Sequence, residues 1–424
     1  MPATADRPLS ATPLRHRLGN GITVLLTPCP GSGIVAAQCF LKRGSAGEAE
    51  PGSSRLLAAM LTRGTAQHSA RELAEYVESI GASLGAEANG DYFSLGFRAI
   101  AADLPGMLTL TAEILREASL PEDQLDLERR LHLQAIRAQR EQCLPQAFQL
   151  LRRGIYGGHV YAEDGLGTEA SVSGLRPESL RRLYRDRFRP EELVISLAGD
   201  LDPERTLGLL ERLLGDWCPA DAPPASVTLQ TPVLTPPEVL QLPFPGQQLY
   251  VLLGAATVAV DHPDQAALRL ASSYLGNGMS SRLFVELREK QGLAYEVSAL
   301  HTARRGPGAF AAYLGTAPEN GAIALAGLRR EWLRLVEQGL SEAELAATVR
   351  KHLGQYALGR QTMAQIAQTY GTYETLGLGW EYDREYPERL RAVTSEDLRV
   401  ACQRWLATPT VCLAGPEAAL GFEE

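Results

Sequence analysis

No two of the seven histidines in this chain stand within five residues of one another. The chain therefore lacks the pair of imidazoles one helical turn apart on which many zinc enzymes are built. Cysteine offers no site either. Cys29, Cys39, Cys143, Cys218, Cys402 and Cys412 form no C-x-x-C pair and no dense disulfide framework, and they read as reduced structural thiols. No apolar run approaches the roughly 18 residues a membrane helix needs, and the Arg7, Arg15, His16 and Arg17 of the N-terminus precede no apolar secretion core. These absences predict a cytoplasmic protein with no membrane insertion. The G-x-G-x-x-G and P-loop patterns that would announce a nucleotide are missing. A net charge of -9 sets the overall field against a phosphate backbone, so nucleic acid is not an expected partner.

What is present is a chain of 424 residues, 45% hydrophobic and 21% charged, long enough for two or three domains. Its punctuation falls between Cys218 and Glu238, where Pro219, Pro223, Pro224, Pro232, Pro236 and Pro237 crowd a segment without apolar periodicity. Proline fixes φ and keeps its predecessor extended, so 218–237 reads as a linker between a domain at 1–217 and another at 238–424.

The halves repeat each other. Pro30-Gly31 and Pro245-Gly246 each separate two strand-like apolar runs, Ile22 to Thr27 with Ile34 to Leu41, and Val239 to Phe244 with Leu249 to Ala256. Both pairs read as hairpins. Pro121 to Leu125 and Ser341 to Leu345 each open a long helical pattern with acids in the first turn. Glu178-Ser179-Leu180-Arg181 leads to Leu197-Ala198-Gly199 as Glu396-Asp397-Leu398-Arg399 leads to Leu413-Ala414-Gly415. Within the first half, Ser69-Ala70-Arg71-Glu72 is a capping box, Gly81 stops its helix, and Phe93, Leu95, Phe97 and Ala99 alternate as in a strand. Segregated hairpins and helices predict an α+β fold of two structurally related domains, each a mainly antiparallel sheet packed with helices.

The run Gly52-Ser53-Ser54-Arg55-Leu56-Leu57-Ala58-Ala59-Met60-Leu61-Thr62-Arg63-Gly64-Thr65, with the later Tyr156-Gly157-Gly158-His159 and Gly167-Thr168-Glu169, resembles the pitrilysin and mitochondrial processing peptidase family, the inverzincin zinc metalloproteases. The likeness extends over nearly the whole chain. Active members carry H-x-x-E-H on this helix, two histidines for zinc and a glutamate as general base. Residue by residue those positions are Arg55, Ala58 and Ala59, and the family's third ligand would fall at Gln134 or Ala135. Alanine has no donor atom, guanidinium repels a dication and an amide oxygen is a weak zinc ligand, so no metal and no catalytic residue are expected here.

The second half keeps Asn277-Gly278-Met279-Ser280-Ser281-Arg282-Leu283 and Gly292-Leu293-Ala294-Tyr295. Spacing alone reads as a capped helix with Arg282 paired to Glu286 and Glu286 to Lys290, then a strand in which Tyr295, Val297 and Ala299 share a face. The resemblance implies more. This run looks like the family's Arg/Tyr pair, which in heterodimeric members sits on the subunit without H-x-x-E-H and contacts the peptide. The resemblance thus implies a zinc-free, non-catalytic subunit, with Arg282 and Tyr295 binding unstructured peptide for a homologous partner that carries the zinc. The alternatives are a scaffold subunit of the core-protein kind, or a homodimeric peptide-binding module. A stand-alone hydrolase is the third. Among weaker features, Gly276 and Gly278 read as a turn, His159 as a loop residue, and Arg181, Arg182, Arg185, Arg187 and Arg189 as a solvated face. Arg304-Arg305 is a candidate lining for an acidic interior.

Overall fold

The computed structural model describes residues 12–218 and 239–421, so the proline-rich linker at 218–237 lies, but for Cys218, outside the described residues. The chain forms two compact units, and each draws on both halves of the sequence. Among the described residues the first holds 12–136, 165–218 and Tyr356–Asp383, and the second holds Arg137–Asp164, 239–355 and 384–421.

The first unit is built on β1 (Leu14–Arg17), β2 (Thr23–Pro28), β3 (Ile34–Leu41), β4 (Ser83–Ala88), β5 (Phe93–Ile100) and β6 (Leu193–Gly199). They lie in the order β1-β2-β6-β3-β5-β4. The second unit holds β7 (Val239–Pro243), β8 (Leu249–Ala256), β9 (Glu296–Thr302), β10 (Ala309–Thr316) and β11 (Thr410–Gly415), in the order β7-β11-β8-β10-β9. Strand for strand, the second order repeats β2-β6-β3-β5-β4. The duplication read from short sequence matches is therefore a duplication of topology.

Both expected hairpins are overturned, and in the same way. β6 inserts between β2 and β3, parallel to the first and antiparallel to the second, and β11 inserts likewise between β7 and β8. The inserted strands are buried at every residue, LVISLAG and TVCLAG, which suits a central strand covered on both faces. The remaining neighbours are antiparallel, so each sheet is mainly antiparallel with one parallel pair.

The double cover has a source that no local pattern announces. In the first unit, Val24, Leu26, Ala37, Cys39 and Phe97 pack with Leu56, Leu57 and Met107, while Leu25 and Ala198 on the opposite face pack with Ile366, Ala367 and Tyr370. The latter three belong to the helix Met363–Thr375, a segment from the far end of the chain. Reciprocally, the helix Cys143–Tyr156 from the first half packs on β8 and β11. A glycine in each helix permits the close approach. A Cβ on Gly371 would stand 2.2 Å from Phe40 Cε2, and one on Gly154 would stand 2.5 Å from Leu240 Cδ1.

The local signals fare better. Ser69 and Glu72 form the expected capping box on the helix Ala70–Ser79, and Gly81 follows at φ 63°. The two acid-headed helices are Glu122–Arg140 and Glu342–Leu358.

Candidate functional site

The helix that would carry a metal motif is Ser53–Met60. Gly52 starts it at φ 90°, and a Cβ there would meet Leu166 O and Val172 Cγ2 at 2.8 Å. The carboxylate of Glu48 caps it, accepting from Gly52 N (2.6 Å), Ser54 N (2.8 Å) and Ser53 Oγ (3.3 Å). Burial raises the Glu48 pKa and these bonds oppose the rise. Leu56, Leu57 and Met60 are fully buried and hold the helix in the core.

The positions that would bind zinc are therefore well built and chemically empty. Arg55 is exposed, Ala58 is 3% exposed and Ala59 is half-buried. Gln134 is exposed and Ala135 half-buried. None of the two methyls, the amide and the cation makes a first coordination shell for a dication, so these residues do not fit the metal the family resemblance implies. His132, on the helix beside Gln134, is buried with Nε2 2.8 Å from Leu166 O, and His68 pairs its Nδ1 with Glu113 at 2.9 Å. Among the described residues no three His, Cys, Asp or Glu side chains form a group that could hold a metal ion.

The second unit presents a different arrangement. Arg282 opens a helical segment whose next residues, Phe284–Glu289, are a π-helix and not the expected continuous α-helix. The wider winding still brings Glu286 to both neighbours, with Arg282 Nη1 at 3.0 Å and Lys290 Nζ at 2.9 Å. The segment ends as expected at Gly292, φ 63°, whose N–H bonds Arg288 O while Leu293 N bonds Leu287 O.

Arg282 has a second anchor that sequence spacing does not reveal. Its Nε donates at 2.8 Å to Glu331 Oε2, from the helix Gly321–Gln338, and Glu331 is only 3% exposed. Burial works to lower the Arg282 pKa, but the hydrogen bond and charge of Glu331, with Glu286, outweigh it and raise it. Two carboxylates thus fix the plane of the guanidinium, while its Nη2 has no protein partner among the described residues. Tyr295 stands just before β9, its backbone N on Gly315 O and its side chain 67% exposed. Its face-sharing with Val297 and Ala299 goes only so far, since Ala299 is buried and Val297 half-buried.

Beside Arg282 lies a cavity of about 500 Å³, lined among others by Ser273, Tyr274, Ser280, Glu286, Glu344 and Lys351. Tyr274 Oη donates to Glu344 at 2.6 Å. Burial pushes the Tyr274 phenol up to about 12, with Glu344 adding to it. Glu344 is drawn down to about 2: burial opposes the shift, while Tyr274, the Ser341 cap and Arg334 outweigh burial.

Gly276 ends the helix Gln265–Gly276 against β9, where a Cβ would overlap the Ala299 backbone, and Gly278 turns the chain at φ 79°. His159 lies between Tyr156 and Tyr161, its Nδ1 accepting from Tyr161 N at 3.1 Å. Arg304 stacks over the Tyr161 ring at 4.6 Å. The basic run is only partly a solvated face. Arg181, Arg182 and Arg185 are exposed, whereas Arg187 and Arg189 are buried because the chain turns there into β6 and folds both back toward Asp186.

Two family models match the chain. One described as Insulinase (Peptidase family M16) covers residues 24–167, and one described as Peptidase M16 inactive domain covers 174–351. An uncharacterized zinc protease of Streptomyces coelicolor is 26% identical over 373 residues, 86% of this chain and 81% of its own length. One of Bacillus subtilis is 26% identical over 364 residues, 85% and 88% of the two chains. A crystal structure of a peptidase M16 inactive domain from Pseudomonas fluorescens superposes with a TM-score of 0.88 at 24% identity, over 95% of this chain and 98% of that one. A protease from Helicobacter pylori does so with a TM-score of 0.86 at 19% identity, over 96% and 100%.

Proposed function

Because this chain belongs to the peptidase M16 family, and its zinc positions hold Arg55, Ala58 and Ala59, we propose that it is a non-catalytic member that binds peptide for a homologous partner carrying H-x-x-E-H. The partner would supply the metal and with it the hydrolytic chemistry. This chain supplies grip: the free Nη2 of Arg282 donates to a backbone carbonyl or carboxylate of an extended peptide, and the exposed Tyr295 phenol adds a second hydrogen bond. Neither contact reads a side chain, which suits unstructured substrates of varied sequence. Holding the scissile bond in one geometry lowers the entropic part of the barrier on the partner's active site.

The observation that carries this reading is the contrast within one molecule. The metal positions retain their helix and cap but no donor atom, while Arg282 is fixed by two carboxylates with one donor edge left over. No helix among the described residues is long and apolar enough to cross a membrane, and a cytoplasmic setting is part of the reading. The test mixes the chain with an H-x-x-E-H homologue and follows cleavage of an unstructured peptide. Loss of a charge-assisted hydrogen bond is worth about 1.5–3 kcal/mol, so Arg282→Ala should lower kcat/KM of the mixture by roughly ten- to hundredfold and Tyr295→Phe by less. Unchanged rates for both variants would leave a scaffold role in its place.

A further inference from the structure

Lys351 is the one basic side chain lining the 500 Å³ cavity that has no carboxylate partner among the described residues. It projects from the helix Glu342–Leu358 into the turn Asn277-Gly278-Met279-Ser280, where Nζ donates to Asn277 O and, at 3.3 Å, to Ser280 Oγ. Both acceptors are neutral. The cavity's two acids are committed elsewhere: Glu286 to Arg282 and Lys290, and Glu344 to Tyr274, Ser341 and Arg334. A second observation points the same way. Ser273, 2% exposed, lines the cavity with an Oγ that has no hydrogen-bond partner. An ammonium bonded only to neutral acceptors, an orphaned hydroxyl and an adjacent seryl hydroxyl form a donor set with no anion among its partners, and a buried hydroxyl left without a hydrogen bond is costly.

We propose that this cavity is a carboxylate-binding subsite: a peptide held at Arg282 and Tyr295 places an acidic side chain or its C-terminal carboxylate on Lys351, with Ser273 and Ser280 donating to the same group. The cavity lies directly beside Arg282, which lines it, so one extended peptide reaches both. The inference rests on the peptide-binding reading above and adds a substrate class, peptides with a carboxylate near the gripped backbone. Val285 and Ala347 on the lining leave room for the aliphatic part of a Glu or Asp side chain.

The test measures fluorescence-anisotropy affinities of the full chain for one unstructured peptide in three forms: free acid with an internal Glu, the same with Glu→Gln, and the same with an amidated C-terminus. The form that loses its carboxylate from the subsite should bind about tenfold more weakly, which tells side chain from terminus. Lys351→Gln should erase that discrimination by weakening the two forms that keep the subsite carboxylate to the level of the form that lacks it, whose affinity it leaves unchanged, whereas Arg282→Ala should weaken all three alike. Equal affinity of all three forms for the unaltered chain overturns the subsite and leaves the Arg282 grip standing. Should no peptide bind, the grip fails, and N-acetylglutamate then tests the cavity alone. It should raise the melting temperature of the unaltered chain but not of Lys351→Gln, and no rise in either overturns the subsite.

Discussion

The helix Ser53–Met60 and the segment from Asn277 to Tyr295 sit in two copies of one five-strand topology, yet they have kept opposite things. The first keeps architecture without chemistry: a buried capping carboxylate, a left-handed glycine start and three core-filling side chains around positions that hold no donor. The second presents polar groups in place of core: a π-helix, a charge network and an exposed phenol. Fold and chemistry are therefore separable, since the helix Ser53–Met60 serves the core while its motif positions hold no donor.

That contrast can be broken most forcefully at the vacated helix. Placing Arg55→His, Ala58→Glu and Ala59→His together puts a carboxylate at a position only 3% exposed and should destabilise the first unit by about 3 kcal/mol without metal. Zinc should recover part of that in a thermal melt, since a metal that binds only the folded state stabilises it. With Gln134 and Ala135 still lacking a third ligand, no peptide hydrolysis is expected.

Acid should act on the second unit. His301, buried on β9 with Nε2 3.1 Å from Thr257 Oγ1, is pushed down to about 3 by burial and then by Arg269. The folded chain keeps this imidazole neutral while the unfolded chain protonates it below about 6.5, so the unfolded state binds more protons. Stability should be unaffected above that pH and fall by about 1.4 kcal/mol per pH unit between 6.5 and 3, or roughly 2 kcal/mol by pH 5. His352, lowered to about 4 by burial and then by Arg269, adds to the same trend. Denaturant titrations across this range should show the slope, and His301→Gln should flatten it.

The exchanged helices allow a matched pair of substitutions. Gly371→Ala drives a methyl into the fully buried Phe40 ring and should cost about 2 kcal/mol, whereas Gly154→Ala meets the half-buried tip of Leu240 and should cost about 1 kcal/mol. Equal costs in equilibrium unfolding would mean that the two helices pack alike. The smallest expected effect lies at the second anchor of Arg282. Glu331→Gln should leave the guanidinium tethered by Glu286 alone and weaken peptide binding about threefold, read as affinity by fluorescence anisotropy.

Local chemistry made much of this legible beforehand. The capping box at Ser69, the Gly292 terminus, the Glu286–Lys290 pair and the missing donors at residues 55, 58 and 59 all depend on neighbours in sequence. The hairpins misled because two apolar runs flanking a Pro-Gly turn look the same whether they pair directly or admit a third strand, and β6 and β11 arrive more than 150 residues later. Helix exchange is invisible for the same reason: a buried Leu25 or Ala198 does not say which helix covers it. Glu331, 49 residues from Arg282, has no spacing signal at all.

The central claim is that this chain grips peptide with its own side chains and no metal. Its most direct measurement is the affinity of an unstructured peptide for the isolated chain with and without a strong chelator, the peptide's integrity being followed by mass spectrometry. The account predicts the same dissociation constant in both conditions and an intact peptide. Binding that vanishes with the chelator, or cleavage by the chain alone, would contradict it.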